Sequence, residues 1–263
     1  MKFNAVMNIL LTASNMLVSI VTIPYVTRVL SVEGYGDVTF AQNVSQWLSA
    51  MCLVGVPMYG LRECARVRDD PREMARVVRE LLAIITIFTA VVLMCFGVSI
   101  LVVPRFHRIA ALMWVFLVST LLLSYGVEWY FQAIEQYKYI TIRSMVFKML
   151  SLVAMLVFVR DEGDYLAYGV ILALVVCGNN VLNLVRMLCM VSFSGLGPMR
   201  IGRHLKPLAS YAALSIATSV YLASTASCLA CCHPATFKFG FYQLAAKLKK
   251  PFATVWSMRL SAF

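Results

Sequence analysis

Charge is what this chain has least of. Asp, Glu, Lys and Arg together make up 13% of its 263 residues, where a soluble domain carries about 25%. Acids are the scarcer half, 12 against 23 basic residues, and there are 3 histidines. That scarcity argues against a membrane polymerase or acyltransferase: none of His107, His204 and His233 has an acid at catalytic spacing along the sequence. No catalytic residue, metal or cofactor is expected. The net charge of +11 raises nucleic acid as a partner, but the basic residues are scattered and form no continuous stripe, so nucleic acid is set aside. The 8 cysteines make no disulfide framework. Cys52, Cys95, Cys177 and Cys189 fall in or beside apolar runs, where cysteine acts as a small apolar side chain. Cys228, Cys231, Cys232 and His233 have loose metal-ligand spacing but lack a second ligand pair.

Apolar residues fill the chain instead, at 61% with a mean hydropathy of +0.82. They fall into stretches near residues 6–26, 38–60, 81–103, 109–127, 139–159, 165–188 and 208–231, with a weaker one at 240–258. Each is close to the roughly 20 residues a helix needs to cross a bilayer. The predicted fold is therefore all-α, a polytopic membrane helical bundle. The first run follows Met1-Lys2 without a small-residue cleavage pattern, which marks an uncleaved span rather than a signal peptide.

The basic residues orient these spans. Lys2, the six arginines from Arg62 to Arg79, Lys138, Arg143, Lys148, Arg186, Arg200, Arg203 and Lys206 fall in alternate gaps, against Arg28, Arg105, Arg108 and Arg160 in the others. Positively charged loops stay inside. This predicts a multi-pass membrane protein with a cytoplasmic N-terminus. Anionic lipid headgroups are the expected partners of the boundary charges.

Polar groups within spans are costly and mark cavities or helix contacts. Gln42, Ser45, Gln46 and Ser49 share a helical face, with Asn43 beside them, and Asn8, Thr12, Asn15 and Ser19 form a second stripe. Such stripes suit either a water-filled interior or interhelical hydrogen bonds. Pro24 interrupts the first span near its outer end. Glu128 and Gln132 are four apart on one face, in an aromatic segment suited to the headgroup boundary. Lys148 falls inside the fifth span, either facing inward with Glu128 or an acidic headgroup as partner, or snorkelling to the surface. Gly34 and Gly36 suit a tight turn between spans one and two. Arg62, Glu63 and Arg66 have ion-pair spacing on one helical turn.

Three segments carry a family resemblance: Pro24-Tyr25-Val26-Thr27-Arg28-Val29-Leu30 with Glu33-Gly34-Tyr35-Gly36; Gly55-Val56-Pro57-Met58-Tyr59-Gly60-Leu61-Arg62-Glu63; and Glu128-Trp129-Tyr130-Phe131-Gln132-Ala133-Ile134-Glu135 with Tyr137-Lys138-Tyr139. In order and distance they resemble the polysaccharide-biosynthesis flippases (Wzx or O-antigen transporter type) of the multidrug/oligosaccharidyl-lipid/polysaccharide exporter superfamily. The resemblance runs from residue 1 to about 222 and returns at Phe241-Tyr242, Ala245-Ala246-Lys247 and Arg259-Leu260-Ser261. It implies a six-helix bundle at 1–188, a cytoplasmic linker at 189–207, and at 208–263 one or two helices of an incomplete second bundle, since such proteins have about twelve to fourteen spans. It also implies transport of an oligosaccharide repeat unit on undecaprenyl pyrophosphate to the outer leaflet, for O-antigen or capsule. The cavity candidates are then Asn15, Arg28, Gln42, Asn43, Glu128, Gln132, Lys148 and Lys247. A polysaccharide polymerase and chain-length machinery are the implied protein partners. Three other readings stay open: an inactive truncated remnant, a drug/cation antiporter of the same superfamily, and a peptidoglycan-precursor flippase.

Overall fold

The computed structural model describes residues 14, 18, 20–193, 195, 197–215 and 217. Asn15 and Lys247, most of the first apolar stretch, the end of the seventh and the Cys228–His233 group lie outside the described residues. What is described is an all-α polytopic membrane bundle. Its helices are α1 (Ile20–Val29), α2 (Val32–Leu53), α3 (Val56–Arg66), α4 (Pro71–Val102), α5 (Pro104–Arg108), α6 (Ala110–Ser124), α7 (Glu128–Ala133), α8 (Tyr137–Phe158) and α9 (Tyr165–Met190). A tenth, α10, covers 202–215. Four spans are long and apolar enough to cross a membrane, α6 and α7 counting as one, and five if the bent α2–α3 pair counts as another.

Local chemistry sets the helix starts. The Ser31 hydroxyl accepts the Gly34 N–H at 3.1 Å and caps α2. Asp70 caps α4 by accepting from the Arg72 and Glu73 N–H groups at 2.9 and 3.2 Å, with Pro71 at the first helical position, where its missing N–H costs nothing. Asp164, before α9, accepts the Arg160 and Asp161 N–H groups at 3.0 Å, and these bonds hold its carboxyl below the usual value. The turn expected from Gly34 and Gly36 is made by Leu30 and Ser31 instead; both glycines are inside α2. Gly34 serves a close approach, since a Cβ there would lie 2.9 Å from Tyr165 Cβ.

At 1.5 Å per residue α4 is about 48 Å long, well beyond a hydrocarbon core of about 30 Å. Its apolar part, 81–102, accounts for about 33 Å, enough to match that core, and the charged turns Pro71–Glu80 are in excess of it.

Two apolar clusters hold the bundle, one at each end. The first joins Val56, Val78, Leu81, Trp129, Phe131, Ile140, Met187 and Leu208. The second joins Val26, Leu30, Ala41, Phe96, Ile100, Leu112, Phe116, Met155 and Val159. Around the first lie Arg62–Arg79, Lys138, Arg186 and Arg203; around the second lie Arg28, α5 with Arg108, and Arg160. Among the described residues these loop charges fall at two ends of the molecule, while Lys148, counted with the first set, lies within α8. Between the clusters α2 meets α6 through small hydroxyl side chains: Ser45 Oγ and Thr120 Oγ1 are 2.7 Å apart, both buried.

Two expectations change. The aromatics Trp129, Tyr130 and Phe131 are not a headgroup belt; all are at least 96% buried in the first cluster, because α7 turns inward beneath α3 and α4. The second span is not one straight helix: α2 and α3 meet at 42°, where Val54 and Gly55 have φ of 44° and 75°. A β-branched residue in that region is a true outlier. Gly55 is needed twice, for its φ and because a Cβ would come within 2.7 Å of the α10 backbone at Tyr211 and Ala212.

Candidate functional site

The polar stripe of α2 divides in two. Ser45 and Ser49 turn inward: Ser45 makes the bond across to Thr120 on α6, while Ser49 donates back to the Ser45 carbonyl of its own helix at 2.6 Å. Asn43 and Gln46 turn outward, with Gly36 and Ala50 on the same exposed face and Trp47 beside it, while Gln42 is half-buried between the two sets. The expectation that Gln42, Ser45, Gln46 and Ser49 act as one face is corrected: the 3.6-residue period rotates Ser45 and Ser49 toward α6 and leaves Gln46 outside.

Other spans present a different surface. On α4 the exposed side chains include Ile87, Phe88, Val91, Met94 and Val98; on α8 they include Ile142, Val146, Met149, Leu150 and Val153. Among the described residues Asn43 and Gln46 are the exposed carboxamides. A carboxamide facing lipid has no hydrogen-bond partner, whereas one facing water has several. The exposed face of α2 thus differs from the aliphatic faces of α4 and α8.

A second group gathers about Lys148. It is half-buried on α8, and its ammonium donates to Ser14 Oγ at 3.2 Å, reaching across to the first helical stretch. Glu128 on α7 is the acid whose field acts on it, without the direct ion pair that contact within 4 Å would make. Gln132, one turn on, is half-buried as well. Lys148 thus has a hydroxyl as its hydrogen-bond partner, and Glu128, the protein partner expected for it, makes no ion pair with it. Arg28 is exposed at the other end of the molecule, far from this group. The six candidates among the described residues do not gather in one place: Lys148 hydrogen-bonds Ser14 within the bundle, Glu128 and Gln132 are on α7, Gln42 and Asn43 occupy α2, and Arg28 stands apart.

One centre was missed. Glu80, wholly buried, accepts the Arg200 N–H at 2.8 Å on Oε1, and on Oε2 the Arg203 Nε and Nη2 at 2.9 and 2.7 Å and His204 Nε2 at 2.8 Å. His204 Nδ1 lies 2.7 Å from the Tyr59 hydroxyl. A carboxylate only accepts, so Nε2 donates to Glu80, and in the neutral ring Nδ1 then accepts from Tyr59. Spacing along the sequence could not show this acid beside His204, because Glu80 is 124 residues away. Its chemistry is that of a clasp: it ties α10 to α3 and α4, with every ring nitrogen and carboxylate oxygen engaged.

No solved structure matches the chain. Among curated proteins, one from Shigella dysenteriae named "Putative O-antigen transporter" is 26% identical over 171 residues, covering 64% of this chain and 42% of that relative. One of the same name from Escherichia coli (strain K12) is 21% identical over 207 residues, covering 78% of this chain and 48% of the relative. The chain thus spans less than half the length of these relatives. Residues 2–250 match the family described as polysaccharide biosynthesis protein, and the chain belongs to that family.

Proposed function

We propose that this chain forms one wall of a flippase pathway for an undecaprenyl-pyrophosphate-linked oligosaccharide, moving repeat units between leaflets for surface polysaccharide synthesis. The reading takes its substrate from the family resemblance and the relatives' printed names. It is carried by one observation, the carboxamide-bearing exposed face of α2 beside spans that otherwise expose aliphatic side chains. A sugar headgroup with a pyrophosphate cannot cross about 30 Å of hydrocarbon unaided. Asn43 and Gln46 would offer the sugar hydroxyls donors and acceptors, the half-buried Lys148 a positive charge, and the lipid tail would stay in the bilayer. The second wall would come from a second bundle, and rocking of the two would alternate access.

In this reading the arginine-rich end, with Arg62–Arg79 and α10, is cytoplasmic, the N-terminus lies on that side, and the membrane is the bacterial inner membrane. A polymerase and chain-length proteins would receive the translocated units.

The test is cysteine accessibility in membranes. Gln46→Cys is expected to react with a membrane-impermeant thiol reagent above the parent background, and Val91→Cys is not. Equal protection of both would remove the wet face and the reading with it. In cells whose surface polysaccharide requires the chain, Asn43→Leu with Gln46→Leu is expected to cut surface polysaccharide output with normal membrane levels of the protein; unchanged output would exclude these residues from the pathway.

A further inference from the structure

Between the start of α8 and the end of α9 is a recess of about 500 Å³ lined by Lys138, Tyr139, Arg143, Arg186, Gln136 and Glu135. Three cations and one acid line it, and that acid is engaged: Glu135 pairs with Arg68 at 2.9 Å, both partly exposed. Arg143 forms the floor. It is 95% buried, its Nε donates to the neutral Asn179 Oδ1 at 2.7 Å, and neither Nη1 nor Nη2 has a hydrogen-bond partner. Arg186 gives one bond to Gln136 Oε1 at 3.1 Å. The two guanidinium groups are held over the Tyr139 ring, at 5.0 Å for Arg143 and 3.8 Å for Arg186.

A buried guanidinium with one neutral partner is an unbalanced charge, and leaving such a charge unpaired is strongly destabilising. A ring face offers it partial relief only. The missing element is an anion with oxygens for several N–H donors, which a phosphate diester supplies. The surroundings say how that phosphate is carried. The exposed Ile142 lines the recess itself. Val146, Met149 and Leu150 on α8 and Val181, Leu182 and Val185 on α9 continue an exposed aliphatic surface toward the middle of the bundle. Charge at the mouth with aliphatic surface beneath it is the pattern of a phospholipid: headgroup on cations, acyl chains along the helices.

We propose that this recess is a binding site for an anionic phospholipid of the surrounding leaflet, its phosphate held by Arg186 and Lys138 at the mouth and Arg143 at the floor. It is separate from the α2 face and does not depend on transport.

The experiment uses the full chain purified in a neutral detergent, with thermal unfolding followed on adding phosphatidylglycerol, phosphatidylcholine or inorganic phosphate. Phosphatidylglycerol is expected to raise the wild-type Tm by about 5 °C, the scale of a ligand well above its Kd for a protein of this size. The other two additions are expected to leave it within about 1 °C on that scale. Arg186→Gln is expected to lose most of the rise. Arg143→Gln is expected to melt higher than wild type without lipid and to lose the response, a pair of effects that a packing role does not produce. Arg108→Gln, at the opposite end, is expected to respond fully. An equal rise in wild type and Arg186→Gln, or with phosphatidylcholine, would overturn the site. A full rise with inorganic phosphate alone would overturn the lipid assignment.

Discussion

Replacing Glu80 with Gln keeps the size of the side chain and removes what the clasp requires. The carboxylate takes four donor contacts on two oxygens. A carboxamide has one oxygen, and its NH2 must point at N–H donors whichever way it is turned. Breaking a buried ion pair costs about 3–5 kcal/mol. Here Arg203 is 39% exposed and regains water once released, which brings the cost to or below the bottom of that range, about 2–3 kcal/mol. Tyr59→Phe removes one hydroxyl and leaves His204 Nδ1 unpaired, a smaller loss of about 1–2 kcal/mol. Since 1.4 kcal/mol is tenfold, undocking of α10 should rise roughly 70-fold for Glu80→Gln and roughly tenfold for Tyr59→Phe. Amide hydrogen exchange across 202–215, measured in lipid nanodiscs, reads that population directly when opening is fast and reversible. Exchange there should accelerate in this order, while α6 keeps wild-type protection. Unchanged exchange in Glu80→Gln, or greater loosening by Tyr59→Phe, would show that the clasp does not hold α10.

Gly55→Ala should release the same helix by another route. The added methyl meets backbone at 2.7 Å and the positive φ costs about 1–2 kcal/mol more, so exchange at Tyr211 and Ala212 should rise without change in the Glu80 contacts. At the α2–α6 contact, Ser45→Ala should cost under about 1 kcal/mol, as interhelical hydrogen bonds in membranes do, whereas Ser45→Leu should cost about 1–3 kcal/mol by overpacking. Unfolding titrations in mixed micelles would separate the two, and equal losses would mean that the hydroxyl pair matters more than the space.

The spans from α4 to α9 were legible because an apolar run of membrane length admits few alternatives: 139–159 and 165–188 differ from α8 and α9 by a residue or two. The partition of arginines was legible for the same reason, being a property of order along the chain. The break at Val54-Gly55 was not, since valine gives no warning of a positive φ and only the approach of α10 makes Gly55 indispensable. Tyr130 and Phe131 misled because an aromatic at a membrane boundary and one in a core look alike in sequence; the inward turn of α7 decides between them. The stripe on α2 was seen, yet its division required knowing where α6 lies. Arg143 was counted as a boundary charge, and its burial became evident only with Tyr139 and Asn179 around it. His204 and Glu80 could not be paired, as each is unremarkable alone.

The donors that satisfy Glu80 are supplied by residues 200, 203 and 204, some 120 positions downstream. While the chain is being synthesised, the first four spans can enter the bilayer long before those donors leave the ribosome. Glu80 must meanwhile stay hydrated at the membrane surface, on the charged turns that begin α4, and the bundle waits with that end unsealed. Closure of that end therefore follows the synthesis of the spans it joins, and it comes only once the chain has been made at least through residue 204.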